Sequence, residues 1–271
     1  MRVAFVGKGG SGKSAIAGTF CRFLARRGEH VLAIDSDPLP GLALSLGLDI
    51  DDDVRIPDEA VRERAEGERG PRFRLVDDLD VVDAIERWSV EAPDGVRFLQ
   101  FGKVKGQAES GQRLWRSQMA FRQITQRLPD DRWHVVGDLP GGTRQPFTGW
   151  GGFARTVLIV VEPTAHGALS ARRLARMVEM ENVERVFAIA NKVRDDDDAE
   201  MVAEKTGLEV IATVPWDEAF ADAERQRRAP IDEAPDSEAV REVESVLDRL
   251  VSAGEQPAPE GQSVPEEKVG A

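Results

Sequence analysis

Residues 7–14 read GKGGSGKS, directly behind the apolar run VAFVG at 3–7 and leading into the helix-competent SAIAGTFCRFLARRG at 14–28. The stretch from Gly7 to Ser14 matches G-x-x-x-x-G-K-[ST] in the strand–turn–helix setting that motif needs. Such a segment constrains the whole fold. Its strand must carry the turn to the carboxyl edge of a sheet, where the first free N–H groups of the helix close on an anion. The phosphate-binding set predicted here is Gly7, Gly9, Gly10, Ser11, Gly12, Lys13, Ser14 and Ala15. Lys13 neutralises β/γ-phosphate charge, and the Ser14 hydroxyl is a ligand for Mg²⁺.

The rest of the chain repeats the pattern. Apolar, β-branched runs at 31–35, 96–101, 134–138, 156–162, 185–192 and 208–214 read as strands buried on both faces of a parallel sheet. Helical patterns lie between them at about 13–27, 113–128, 165–180, 196–206, 216–228 and 236–252. This alternation predicts an α/β fold, one doubly wound and mostly parallel sheet with helices on both faces. One domain over 1–251 is expected. Residues 49–95 break the rhythm as a charged surface excursion, with a short strand at FRLV and a helix at VVDAIERW. Residues 252–271, rich in Pro, Gly and Glu, read as a disordered acidic tail.

With 36 basic and 49 acidic side chains, the net charge of −13 disfavours nucleic acid and anionic lipid as partners. No run approaches the roughly 20 apolar residues of a membrane span, and the start lacks the order of a signal peptide. A cytoplasmic protein without a membrane anchor is expected. The single Cys21 lies in the apolar pattern of the first helix and reads as a core residue.

One phosphate-gripping lysine is enough for nucleotide binding, yet the loop carries a second, Lys8. K-G-G-x-G-K-[ST] resembles the deviant phosphate loop of the ATPase class that contains MinD, ParA, the nitrogenase iron protein and CooC. That resemblance implies ATP and Mg²⁺ as ligands and an ATP-bound homodimer. Lys8 would reach the partner's phosphates and act catalytically beside Lys13, in the manner of an arginine finger. LAIDSDP at 32–38 resembles the class's first switch, which makes Asp37 the water-orienting catalytic candidate and Asp35 a Mg²⁺ residue acting through water. HVVGDLPGG at 134–142 resembles the Walker B and second-switch pattern. Asp138 would then hold a Mg²⁺ water, and Gly142 would offer its N–H to the γ-phosphate.

In RQPFTGWGGF, which follows, Phe147, Trp150 and Phe153 are expected to pack on the sheet, with a partner-facing surface as the alternative. AIANKV places Asn191 and Lys192 where the class reads the adenine edge, and VPWDEAF resembles the segment over the base, with Pro215, Trp216 and Asp217 as contacts. A guanine-reading N-K-x-D loop needs a carboxylate where this chain has Arg194, which favours ATP.

Over about residues 1–250 the chain resembles CooC-like ATPases, through GKGGSGKS, LAIDSDP, EAPDGVRFLQFGKVKG, VVEPT, ARRLARM, NKV and VPWDEAF. That family's Cys-x-Cys metal site has GQAESGQRLW at the corresponding place here, so a thiolate nickel site is not expected. Two functions follow from the resemblance. One is an ATP-hydrolysing dimeric switch, slow without its partner, that assists maturation of a client, a metalloenzyme among the options. The other is a MinD/ParA-like positioning or partitioning ATPase, against which the acidic ending and the scarcity of basic faces argue.

Overall fold

The computed structural model describes residues 1–37, 41–49, 56–70, 72–76, 79–100, 110–141, 152–179 and 183–254. Four strands form the centre of the main sheet: β1 (Arg2–Gly7), β2 (Val31–Asp35), β7 (His134–Asp138) and β8 (Thr156–Val161). β9 (Arg185–Val193) and β10 (Val210–Pro215) extend it on one side, β6 (Arg97–Gln100) and β5 (Val90–Glu91) on the other. The order is β10-β9-β8-β1-β7-β2-β6-β5, parallel throughout except for β5, which runs antiparallel at the edge. This is the predicted mostly parallel sheet. The dipeptide strand β5 is too short to leave a period in the sequence.

Strand alternation divides the core into two layers. Val3, Phe5, Ala33, Phe98, Val136 and Leu158 face α1 (Lys13–Arg26) and α9 (Glu238–Gly254), and the Phe5 ring meets Phe20 edge-on at 5.5 Å. Ala4, Val6, Leu32, Ile34, Leu99, Val135 and Ile159 face α4 (Ser110–Thr125), α5 (Ala165–Val178) and α6 (Asp196–Thr206). Within α6, Asp195 caps the helix by accepting from Asp198 N at 3.1 Å, so part of the aspartate run satisfies a helix end.

The segment expected as a surface excursion joins that second layer. Its hairpin, β3 (Val61–Glu63) with β4 (Phe73–Leu75), and helix α3 (Val81–Trp88) bury Ile56, Val61, Phe73, Leu75 and Ile85 in the same cluster as the sheet. Sequence periodicity located FRL and VVDAIERW, but the surrounding Arg, Glu and Asp masked the apolar side chains that anchor them. Of the predicted tail, residues 252–254 extend α9 and the others lie outside the described residues.

Two close approaches fix the amino-terminal third. The buried Arg22 guanidinium donates to Asp94, to both oxygens of Asp232 and to the Leu46 carbonyl, pinning α1 against the segments around it. At Gly18, an added Cβ would stand 2.5 Å from Ser45 Cβ and 2.8 Å from its carbonyl carbon, in α2 (Leu42–Ser45). Gly18→Ala is therefore expected to cost about 1–3 kcal/mol through overpacking, despite a helix-propensity gain of up to about 1 kcal/mol. A denaturant melt measures this; an unchanged or higher midpoint would contradict so tight a seat for α2.

Candidate functional site

The carboxyl ends of β1, β7 and β2 converge on the amino end of α1. Gly10 and Gly12 both adopt positive φ, 84° and 86°, which the loop needs to turn its N–H groups inward. Space also selects glycine: a Cβ on Gly7 would lie 2.7 Å from both Ser11 Oγ and Val160 O, and one on Gly12 would lie 2.4 Å from Asn191 Nδ2. Ser11 and Ala15 are buried, whereas Lys8, Gly9 and Gly10 form an exposed rim.

Lys13 and Lys8 occupy different environments. Lys13 is 8% exposed, with Nζ 3.3 Å from Asp138 Oδ1. Burial works to lower its pKa, but the facing carboxylates, Asp138 first and then Asp35, outweigh burial and hold it above the ordinary lysine value. Lys8 projects from the rim and makes no ion pair among the described residues; its carbonyl accepts from Ser11 N at 3.1 Å.

Three side chains make an oxygen-rich corner beneath the loop. Ser14 Oγ donates to Asp138 Oδ2 at 2.5 Å. Asp138 Oδ1, fully buried, has the Lys13 ammonium nearby but no well-directed hydrogen bond. Asp35 accepts from Asp37 N at 2.9 Å through Oδ1 and from Leu42 N at 3.1 Å through Oδ2. Burial, followed by the facing Asp138 charge, pushes Asp35 well above the usual carboxylate range. Asp138 is also raised by burial, which Lys13 and Ser14 only partly offset. A hydroxyl and a carboxylate with an incompletely satisfied oxygen, all hard oxygen donors, fit a small divalent cation such as Mg²⁺. Asp37 is half-buried and near enough for its charge to act on both Lys13 and Asp138.

The segment after β7 leans on the loop. At Gly141 an added Cβ would stand 3.0 Å from Gly9 N, so the chain leaving Asp138 abuts the phosphate loop. Gly142, Phe147 and Trp150 lie outside the described residues. Phe153 is buried, its ring filling the space a Cβ on Gly137 would occupy.

Asn191 and Lys192, expected at the adenine edge, donate to carbonyls of the phosphate loop. Asn191 Nδ2 donates to Ser11 O at 2.7 Å, and Lys192 Nζ donates to Gly10 O at 2.7 Å and pairs with Glu162 at 2.5 Å. Register explains the aim of Lys192: Asn191 pairs with Val214 and Val193 with Pro215, so Lys192 is an extra residue at a bulge, with φ 63°. Glu162 was not singled out in the sequence; VVEPT marks a strand end, but nothing in it indicates a partner 30 residues away. Pro215 ends β10, Trp216 N donates to Val193 O at 2.8 Å, and Asp217 caps α7 (Glu218–Arg225) by accepting from Phe220 N at 3.0 Å. Trp216 is 40% exposed, with the Arg194 guanidinium 5.0 Å above its ring. The pair sets a guanidinium over an exposed aromatic ring, and Arg194 N donates to Asp198 Oδ2 at 2.9 Å.

Comparison with known proteins places this geometry. Residues 3–231 match the family described as the CobQ/CobB/MinD/ParA nucleotide binding domain. Carbon monoxide dehydrogenase accessory protein CooC of Rhodospirillum rubrum is 26% identical over 243 residues, covering 87% of this chain and 91% of CooC. An uncharacterised ATP-binding protein of Methanocaldococcus jannaschii is 28% identical over 262 residues, covering 93% of this chain and 98% of its own. Among solved structures, the septum site-determining protein MinD of Pyrococcus horikoshii, complexed with Mg-ADP, superposes with a TM-score of 0.70 at 15% identity. That match covers 93% of this chain and 96% of that one. Such likeness at low identity establishes the shared fold.

Proposed function

Because the chain belongs to the CobQ/CobB/MinD/ParA nucleotide binding domain family, we propose that it is an ATP-binding and ATP-hydrolysing switch. It dimerises around ATP and assists the maturation or activation of a partner enzyme, as a CooC-like ATPase without a nickel cargo of its own. The observation that carries this reading is the contrast in burial between the two lysines. Lys13 is sequestered with Ser14 and Asp138, while Lys8 stands exposed on the same loop, available to a second nucleotide across an interface. Ser14 and Asp138, with Asp35 behind them, would hold Mg²⁺, which when bound neutralises phosphate charge. Lys13 binds the phosphates, Asp37 orients the attacking water, and Lys8 adds the charge that the transition state rewards.

Arg194, standing where a guanine-reading N-K-x-D loop carries its carboxylate, supports adenine rather than guanine as the base. A thiolate nickel site is not proposed because it needs more than one cysteine per subunit. The only cysteine in the sequence, Cys21, is buried in α1, and burial raises its thiol far above the range in which thiolates bind metal.

An Asp37→Ala variant, held in its ATP-bound form, tests the client side of the reading. Used as bait in cell extract with ATP and Mg²⁺, it is expected to retain a metalloenzyme or its assembly factors. Lys13→Ala bait should not. Retention of chromosome-bound or envelope proteins instead would favour a positioning ATPase and overturn the maturation reading.

A further inference from the structure

Lys192 holds a backbone conformation, φ 63°, that residues other than glycine seldom adopt. A residue kept there points to a side chain that must be aimed. The bulge between β9 and β10 does the aiming: it sends Nζ to the Gly10 carbonyl at 2.7 Å and to the Glu162 carboxylate at 2.5 Å. Glu162 directly follows β8, so one ammonium ties the ends of β8 and β9 to the rim of the phosphate loop.

That rim is a four-residue turn with Lys8 as its first residue. Ser11 N donates to Lys8 O at 3.1 Å across Gly9 and Gly10, and Gly10 has φ 84°, the positive value that the third residue of a type II turn requires. Lys8, Gly9 and Gly10 are exposed, and two glycines give the turn little stiffness of its own. Side chains from β9 hold it from outside, Lys192 at Gly10 O and Asn191 at Ser11 O. We infer that Lys192 is a positioning residue for Lys8: seated by Glu162, it grips the Gly10 carbonyl and fixes the turn from which Lys8 projects. This rests on the ATPase reading above and on the role given there to Lys8. Lysine suits the task because its long stem reaches a carbonyl on another segment and its three donors serve carbonyl and carboxylate together. Lys13 has its own anchor in Asp138, so the brace bears on one lysine of the loop and not on the other.

Lys192→Met keeps the stem and removes the donors; Lys192→Arg keeps the charge and restores donors. Each is compared with wild type by amide hydrogen exchange of the nucleotide-free loop, by titration with a fluorescent ATP analogue, and by steady-state phosphate release. Lys192→Met is expected to exchange the Ser11 amide at least about tenfold faster and to bind nucleotide within about threefold of wild type. Its turnover should fall at least about tenfold, because a misplaced catalytic group is costly. Lys192→Arg should recover turnover to within about threefold of wild type. In a Lys8→Ala background, Lys192→Met should slow turnover by less than about twofold, since its effect passes through Lys8. Lys192→Met turning over within twofold of wild type overturns the inference, whatever its exchange rate. So does unchanged Ser11 exchange, or a full tenfold effect in the Lys8→Ala background. Turnover and affinity falling by the same factor would put Lys192 at the nucleotide itself and overturn it too. If Lys8→Ala turns over as wild type does, the reading of Lys8 fails and this inference with it; if Lys8→Ala is slow and Lys192→Met is not, this inference fails alone.

Discussion

Lys13→Ala is expected to lower affinity for ATP by at least about 100-fold, the largest effect of any single substitution in this chain. The lysine is nearly enclosed, and burial is outweighed by Asp138 and Asp35, so the ammonium is held charged and aimed at one place. Charge-assisted hydrogen bonds contribute about 1.5–3 kcal/mol each, and two of them to phosphate oxygens exceed the roughly 2.7 kcal/mol that 100-fold represents. The substitution also strands Asp138 in the core without its counter-ion, which costs about 3–5 kcal/mol when a buried pair is broken from one side. A melt must therefore accompany the binding titration. A folded Lys13→Ala protein that binds ATP as wild type does would remove the phosphate loop from the account.

Lys8→Ala is expected to separate binding from turnover. Lys8 is exposed, and among the described residues it forms no ion pair, so its loss should leave the melting temperature within about 1 °C, consistent with the small effects of surface substitutions. Within one subunit it has no counterpart to the Lys13–Asp138 contact, and ATP affinity should change by less than about threefold. Turnover should fall by at least about 100-fold, because cations supplied to phosphoryl transfer from a second molecule contribute about 10³–10⁵. Steady-state phosphate release with and without Lys8 measures this. Equal rates would mean that the second lysine is an ordinary loop residue.

The sheet was legible because parallel strands buried on both faces leave near-continuous apolar runs, and β1, β2, β7 and β9 fall within one or two residues of the expected positions. Lys13, Ser14 and Asp138 were legible because the phosphate loop and a strand-end aspartate announce themselves locally; the structure brings them to 2.5 and 3.3 Å of one another. What escaped depends on register and distance. Glu162 means little until a bulge turns Lys192 toward it. The packed hairpin at 61–75 was hidden by its charges, because exposed Arg and Glu alternate with the few side chains that anchor it.

If ATP closes two copies of this chain into a dimer through Lys8, sedimentation velocity on Asp37→Ala with Mg²⁺ and no nucleotide, ADP or ATP will resolve two species. The 29.8 kDa monomer is expected in the first two states, twice that mass with ATP, and a return to monomer when Lys8→Ala is added. A species of unchanged mass in all three states, or an ATP dimer that survives Lys8→Ala, would contradict it.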